Sequence, residues 1–384
     1  MNERHTGSSN KRNFWVSIHR ERVRCRAMFG MLAALLCVFL NTASGQYTAI
    51  KVPKGYVQLQ GDVITTESNA AVLLGQVQGP HPDFTWKPAL LWPNRVVPYA
   101  FDSSVNSTQQ LVFQAAMAAR SNSFPGVTTI SFKPYGGEAG YVNFVVADPG
   151  FTGGTADYIG YKGSVVTITV HSNAVNTGTI QHELGHALGL WHEQSRSDRD
   201  NYVSVITNSI QDGKLPQFEI KASQATFGDY DYASLMHYRP CSFSVCDGTN
   251  GNASCACTKP ACATLQVVSP YDSNWQCKIG NTASLSAMEK RCMAFMYGPP
   301  EWKFLHDRGV FGGFGSFQQP YRTVAEAVAG IPANSTLWIG SPYTFSAAGM
   351  TISKPMTLRA AIPDLQMQAD GSLGPSSSGY VRLQ

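Results

Sequence analysis

The stretch Gly178-Thr-Ile-Gln-His182-Glu183-Leu-Gly-His186-Ala-Leu-Gly189-Leu-Trp-His192-Glu193 decides the reading of this chain. The spacing predicts a helix over about 177–189. His182 and His186 then stack on one helix face, because residues four apart are neighbours there. Both imidazoles can reach one metal at ~2.0–2.1 Å. Glu183 lies about 100° round the helix, so it faces a water on that metal rather than the metal itself. Gly189 tolerates positive φ, which lets the helix stop and the chain reverse. That reversal carries His192 back to the same metal. Three protein ligands leave a fourth position open, as a catalytic zinc requires. Zinc lowers the pKa of a bound water to ~7. Glu183 is placed to take its proton and to deliver it later to a leaving amine. The expectation is one zinc per chain, held by His182, His186 and His192, with Glu183 catalytic. The short His-Glu-x-x-His pattern alone also fits a helix with core histidines; the extended form with Gly189 and His192 points to the metal.

Downstream, Ser234-Leu-Met236-His237-Tyr238 supplies the methionine turn that accompanies the extended pattern. Met236 is expected to pack as an apolar floor beneath the ligands. Tyr238 is expected to reach the metal or the developing oxyanion, and His237 is read as structural. At these residues the chain resembles the astacin family of zinc endopeptidases, within the metzincin clan. The resemblance rests on the run ending Trp-His-Glu-Gln-Ser-Arg-Ser-Asp-Arg-Asp200, on Tyr230–Tyr238, on Leu91-Trp-Pro-Asn-Arg-Val-Val-Pro-Tyr99, and on Ile279-Gly with Leu285-Ser286. It covers residues 89–298. It implies an α+β, two-lobed catalytic domain with a mixed sheet, an active-site helix and a cleft between the lobes. It also implies endopeptidase activity on protein or peptide substrates, with Tyr238 a switchable zinc ligand that stabilises the transition state. By the same resemblance Glu193 contacts the N-terminus created when a propeptide is removed.

Astacin propeptides place an aspartate, in a Phe-x-Gly-Asp context, on the open zinc position. This chain has Leu59-Gln60-Gly61-Asp62, with Leu59 where the family has Phe. Asp62 is therefore the candidate zymogen switch, since a carboxylate is a good zinc ligand and displaces the water. Gly61-Asp62 also suits a plain turn. Cleavage within 80–90 is expected, and Lys87 is the only basic residue there. The cysteines depart from the family, whose two disulfides tie the upper lobe and the C-terminal end. No cysteine falls between Cys37 and Cys241. The seven others, Cys241, Cys246, Cys255, Cys257, Cys262, Cys277 and Cys292, read as a local disulfide framework with one thiol left over. A cysteine zinc site is the rival reading.

Composition fits export. Hydrophobic residues make up 43% and charged residues 14% of the 384 residues, which suits a globular chain with a sizeable core. The net charge of +4 sits largely in Lys11, Arg12, Arg20, Arg22, Arg24 and Arg26, so nothing argues for nucleic acid. Those cations precede the apolar run Met28–Leu40 and the small residues Ala43-Ser44-Gly45. Residues 1–45 are therefore read as a secretory signal and the protein as extracellular. The run is short for a span of ~20 residues, so no stable membrane insertion is expected; an uncleaved anchor is the alternative. Residues 46–88 are assigned to the propeptide.

Within 89–298 the pattern predicts a strand-like run in Trp92–Phe101 and an amphipathic helix over 108–119 with Leu111, Ala115, Met117 and Ala118 apolar. Strands are expected at 129–132, 141–146 and 165–170, and a closing helix at 284–297. Gly298-Pro299-Pro300 marks a boundary. Residues 299–384 form a linker and a small β-rich segment, with a helix at 321–329 and short runs at 335–339, 350–352 and 356–359. This resembles the opening coil of a right-handed parallel β-helix. A polysaccharide or surface contact through this segment is the accompanying expectation. Two further functions compete: an adhesive or carbohydrate-binding protein on an inert protease scaffold, and another zinc hydrolase such as an amidase. The complete catalytic set disfavours the first, and Tyr230–Tyr238 disfavours the second.

Overall fold

The computed structural model of the chain describes residues 54–58, 62–66, 70, 91–122, 128–149, 153–221, 229–246, 259–280, 283–298, 302–305, 315, 320–339, 352–360, 366–367 and 373–374. The expected signal at 1–45, residues 59–61, the expected cleavage region at 80–90, Cys255 and Cys257 lie outside these.

β1 (Tyr56–Gln58) and β2 (Ile64–Thr66) pair antiparallel, with Asp62 two positions ahead of β2. Then follow β3 (Val96–Phe101), α1 (Ser107–Ser121), β4 (Ser131–Pro134), β5 (Tyr141–Ala147), β6 (Gly154–Ala156), β7 (Val165–His171) and α2 (Thr177–Ala187). The five strands form one mixed sheet in the order β4-β3-β5-β7-β6. β4, β3, β5 and β7 run parallel, and β6 is an antiparallel edge. β7 alternates as Val-Val-Thr-Ile-Thr-Val, and its Val166, Ile168 and Val170 are fully buried. Period-2 alternation of this kind puts one face on the core.

α1 and α2 cover that face. α1 opens with a capping box, in which Asn106 accepts from the Gln109 amide and Gln109 accepts from the Asn106 amide. The helix forms where the sequence predicts, but with a different face inward. Phe113, Ala116, Met117 and Arg120 are buried, whereas Leu111, Ala115 and Ala118 are exposed. The buried set follows i, i+3, i+4, i+7, the face of a packed helix. Phe113 sits 4.7 Å from Phe144 between ring centroids and anchors the core with Phe101 and Tyr99. Ile180 and Leu184 of α2 are fully buried on the same core, each stabilising the fold by roughly 1.5–3 kcal/mol.

A second core holds Val203, Phe218, Tyr230, Tyr232, Tyr238, Leu265, Val267 and Ile279. It includes the antiparallel pair β8 (Val203–Val205) and β9 (Leu265–Val267). α3 (Ala287–Tyr297) returns to the first core: Tyr297 donates its hydroxyl to the Leu188 carbonyl at 2.8 Å, just past the end of α2. Trp92 donates from Nε1 to the Ala187 carbonyl at 2.7 Å beside it. The predicted strand at 129–132 falls at 131–134, and the closing helix starts at 287.

Cys246 is bonded to Cys262, and Cys241 and Cys277 are also in disulfides. The cysteines therefore staple the loop region, as the framework reading expects. Cys292, on α3, is a free thiol. In the C-terminal segment, β10 (Trp302–Leu305), β11 (Ser335–Ile339) and β12 (Met356–Ala360) form a parallel sheet. α4 (Val324–Gly330) lies between β10 and β11 in the chain and packs Val324 and Ala327 against Leu305, Leu337 and Ile339. The run expected at 350–352 gives no strand at Ile352, and its other two residues lie outside the described ones. No helix among the described residues is long and apolar enough to cross a membrane.

Candidate metal centre

The centre is built from the end of α2 outward. Asn176 caps the helix by accepting from the Thr179 amide at 2.9 Å. At the other end Gly189 has φ +107°, and its amide bonds the His186 carbonyl while the Leu190 amide bonds the Gly185 carbonyl. This pair of bonds is a Schellman stop, which needs the left-handed residue that glycine supplies. The chain therefore leaves the helix at a fixed angle, and His192 returns to His182 and His186. The three ring centroids lie 4.7–5.2 Å apart.

Backbone carbonyls fix the ring orientations. His182 Nδ1 donates to the Leu235 carbonyl at 2.7 Å, and His186 Nδ1 donates to the Leu190 carbonyl at 2.8 Å. Each Nδ1 thus carries a proton, and in the neutral ring Nε2 is the nitrogen left to ligate. Asp62 meets these nitrogens: its Oδ2 is 2.9 Å from His182 Nε2 and 3.1 Å from His192 Nε2, and its Oδ1 is 3.3 Å from His186 Nε2. His186 Nε2 and Asp62 Oδ1 are buried without a hydrogen-bond partner. The four donor atoms lie within 4.8 Å of one another. Three imidazoles and one carboxylate, with two buried atoms among them left unpartnered, are the donor set zinc takes, so the residues fit the ion.

Around this set, Glu183 is 2% exposed and its Oε2 has no hydrogen-bond partner. Burial pushes its carboxyl well above the usual range, and the Asp62 carboxylate adds to that. Gly154 on β6 leaves it room: a Cβ there would stand 2.7 Å from Glu183 Cγ. Tyr238 lies 4.5 Å from His192 between ring centroids, with its hydroxyl buried and unpartnered. Its amide donates to Gln194 Oε1. Met236 packs its sulfur over Gly185, where a Cβ would approach to 2.6 Å. His237 bonds Tyr230 through Nε2 and the Tyr238 carbonyl through Nδ1, so both its nitrogens are turned away from the centre.

Glu193 accepts from Arg196 Nη1 and from the Asp231 amide, both at 2.9 Å. With Asp231, Glu289 and Cys292 it lines a pocket behind His192. Burial, with help from the Glu193 and Glu289 charges, raises the Asp231 carboxyl to about 8. Finally, the carbonyl of Asp62 accepts from the Ala156 amide at 2.9 Å, and Val63 bridges Ala156 in parallel. The segment before β2 thus lies along the free edge of β6.

The family model of the astacin peptidases matches residues 84–298, more than half of the chain. The chain belongs to the astacin family. Embryonic protein UVS.2 of Xenopus laevis is 36% identical over 161 residues, covering 40% of this chain and 30% of that protein. Zinc metalloproteinase nas-4 of Caenorhabditis elegans is 33% identical over 156 residues, covering 40% of this chain and 47% of that one. The chain spans less than half the length of the curated relatives it matches. Among solved structures, high choriolytic enzyme 1, a hatching enzyme zinc-protease from Oryzias latipes (Medaka fish), is 25% identical; the match covers 56% of this chain and 98% of that chain, with a TM-score of 0.46.

Several residues of this astacin centre were not legible in the sequence. Leu235 acts through its carbonyl, which any residue carries. Gly154 lies in a strand too short to show a period. Glu289 had a signal, since Ser286-Ala-Met-Glu289 reads as a capping box, but nothing in that pattern ties it to a histidine far upstream.

Proposed function

We propose that this chain is a secreted zinc metalloendopeptidase made as a zymogen, with a signal at 1–45, a propeptide at 46–88 and a catalytic domain at 89–298. The observation that carries the reading is the meeting of three histidine Nε2 atoms with the carboxylate of Asp62. His182, His186 and His192 hold one zinc per chain. When bound, zinc supplies Lewis acidity that polarises a scissile carbonyl and acidifies water to a pKa of ~7.

The chain's own residues do the rest. Glu183 takes the proton of the attacking water and hands it to the departing amine, a role its buried and unpartnered carboxyl suits. Tyr238 donates its free hydroxyl to the oxyanion. β6 offers its edge to an extended peptide, bonding that peptide's backbone as it does the carbonyl of Asp62. Asp62 keeps the precursor silent by occupying the position a nucleophile needs. Removal of the propeptide creates an N-terminus that the pocket at Glu193 receives. In the C-terminal segment, the parallel ladder β10-β11-β12 supports an opening β-helix coil.

The test uses chain starting at residue 46, unprocessed, with denatured protein as substrate. The Asp62→Ala precursor is expected to cleave it, and the unaltered precursor and the Asp62→Ala/Glu183→Ala double variant are not. Equal silence of all three, with zinc retained, would refute the reading.

A further inference from the structure

Arg120 is an anomaly in α1. It takes the last position of the helix's inward face and is fully buried. Its guanidinium reaches across to α2, where Nε and Nη2 both donate to the Gln181 carbonyl, at 3.2 and 2.5 Å. Gln181 immediately precedes His182. Gly185, one turn on, makes the room: a Cβ there would stand 2.8 Å from Arg120 Nη2. Burying an arginine is costly unless a counter-charge lies close. Burial lowers its pKa to about 10, and Glu289 is the carboxylate that opposes the shift.

Glu289 belongs to the capping box of α3, where its Oε2 accepts from the Ser286 amide at 2.9 Å. The same oxygen accepts from the Leu235 amide at 3.0 Å. The Leu235 carbonyl is the group that takes the proton of His182 Nδ1. A carboxylate on α3 thus holds one side of a residue whose other side orients a histidine. Arg120 Nη1 and Glu289 Oε1 are both buried without a hydrogen-bond partner. Neither atom is spent on the backbone. Helix α1 has no cysteine to tie it to the C-terminal helix, since none lies between Cys37 and Cys241.

We propose that Arg120 and Glu289, two buried charged side chains, position His182 from two sides, Arg120 by fixing the helix backbone at Gln181 and Glu289 by fixing the Leu235 peptide that orients the imidazole. The proposal rests on the reading of His182 as a metal ligand. Outer partners of a ligating histidine typically carry ~10–100-fold in metal affinity.

The test measures zinc affinity of the full chain by chelator competition, the absorption spectrum of its cobalt-substituted form, and the melting temperature without metal. The double variant Arg120→Met/Glu289→Leu removes both charges and keeps volume, so no lone charge is left buried. It is expected to fold and to lose ~10–100-fold in zinc affinity, with altered cobalt bands. Glu289→Gln keeps an oxygen facing the Leu235 amide and is expected to lose far less than Glu289→Leu. Ser286→Ala breaks the same helix cap and is expected to lower the melting temperature while keeping zinc affinity. Arg120→Lys retains the buried charge and loses one of two bonds to Gln181. It gives the reading if the double variant does not fold, and a clear drop in its zinc affinity is expected. Unchanged affinity and cobalt bands in the double variant, or in Arg120→Lys where the double variant is unfolded, would overturn the proposal. So would a loss in Ser286→Ala as large as in the double variant. His182→Ala separates the two ideas: if that variant keeps its zinc, the ligand reading fails first.

Discussion

Replacing Gly154 with alanine perturbs the candidate base without touching it chemically. The added Cβ would stand 2.7 Å from Glu183 Cγ, 3.1 Å from its Cδ and 3.0 Å from Oε1. Non-bonded carbons settle at about 3.5–4.0 Å, so the carboxylate must retreat by roughly 1 Å. Gly154 lies on an edge strand without positive φ, so alanine is tolerated by the backbone and the strain falls on the side chain. A misplacement of about 1 Å costs on the order of 10²-fold in turnover, at the low end of the ~10²–10⁴ that a general base as a whole supplies. The fold should suffer little: an overpacking cost of about 1 kcal/mol lowers the melting temperature of a chain this size by roughly 2–4 °C. The assay is steady-state cleavage of a quenched peptide by the processed enzyme, with zinc content measured on the same samples. Turnover is expected to fall about 100-fold while zinc stays bound. Wild-type turnover would refute the placement of Glu183 against β6, and loss of zinc would show that the substitution disturbs the ligands instead.

Three further outcomes are expected. Purified chain should carry one zinc, and His192→Ala should lose it, measured by elemental analysis; full retention would remove His192 from the ligand set. Mass spectrometry with and without reduction should find a single alkylatable thiol within 241–292 under denaturing conditions, at Cys292, with the other six cysteines of that region oxidised. Asp231 ionises in the folded state only at about 8, whereas an exposed aspartate does so near 3.9. The folded chain therefore holds a proton that the unfolded chain releases, and stability should fall as pH rises across that interval. Asp231→Asn should flatten the slope of melting temperature against pH between 5 and 8, and an unchanged slope would show that Asp231 is not its source.

The parts of this chain that were legible in the sequence are those with a strong local rule. Gly189 ended α2 and turned the chain because one residue type meets that backbone need. β5 and β7 were legible because they are rich in β-branched and aromatic residues. α1 shows the limit. Its helical period was plain, yet Leu111 faces solvent and Arg120 faces the core, where it meets a tertiary partner, the Gln181 carbonyl, that the local sequence does not reveal. β8 and β9 are three residues each and meet from opposite sides of the cysteine-stapled loop, so neither carries a local pattern. The candidate ligands were legible because a metal site needs residue type and spacing together. Their supports were not, because Leu235 and Gln181 contribute backbone oxygen, which leaves no trace in residue identity.

The grip of the segment at Asp62 has a consequence for timing. Its carboxylate faces three imidazoles while its carbonyl takes the Ala156 amide, so two unrelated kinds of contact must break together before it leaves. In the intact chain that segment is a tethered ligand, present at an effective concentration in the millimolar range. A cut in the connecting chain does not dislodge it. It converts a first-order equilibrium into a second-order one, and occupancy then depends on how dilute the two pieces are. Cleaved material kept concentrated would stay occupied, and the same material diluted would open at a rate set by dissociation rather than by the cut.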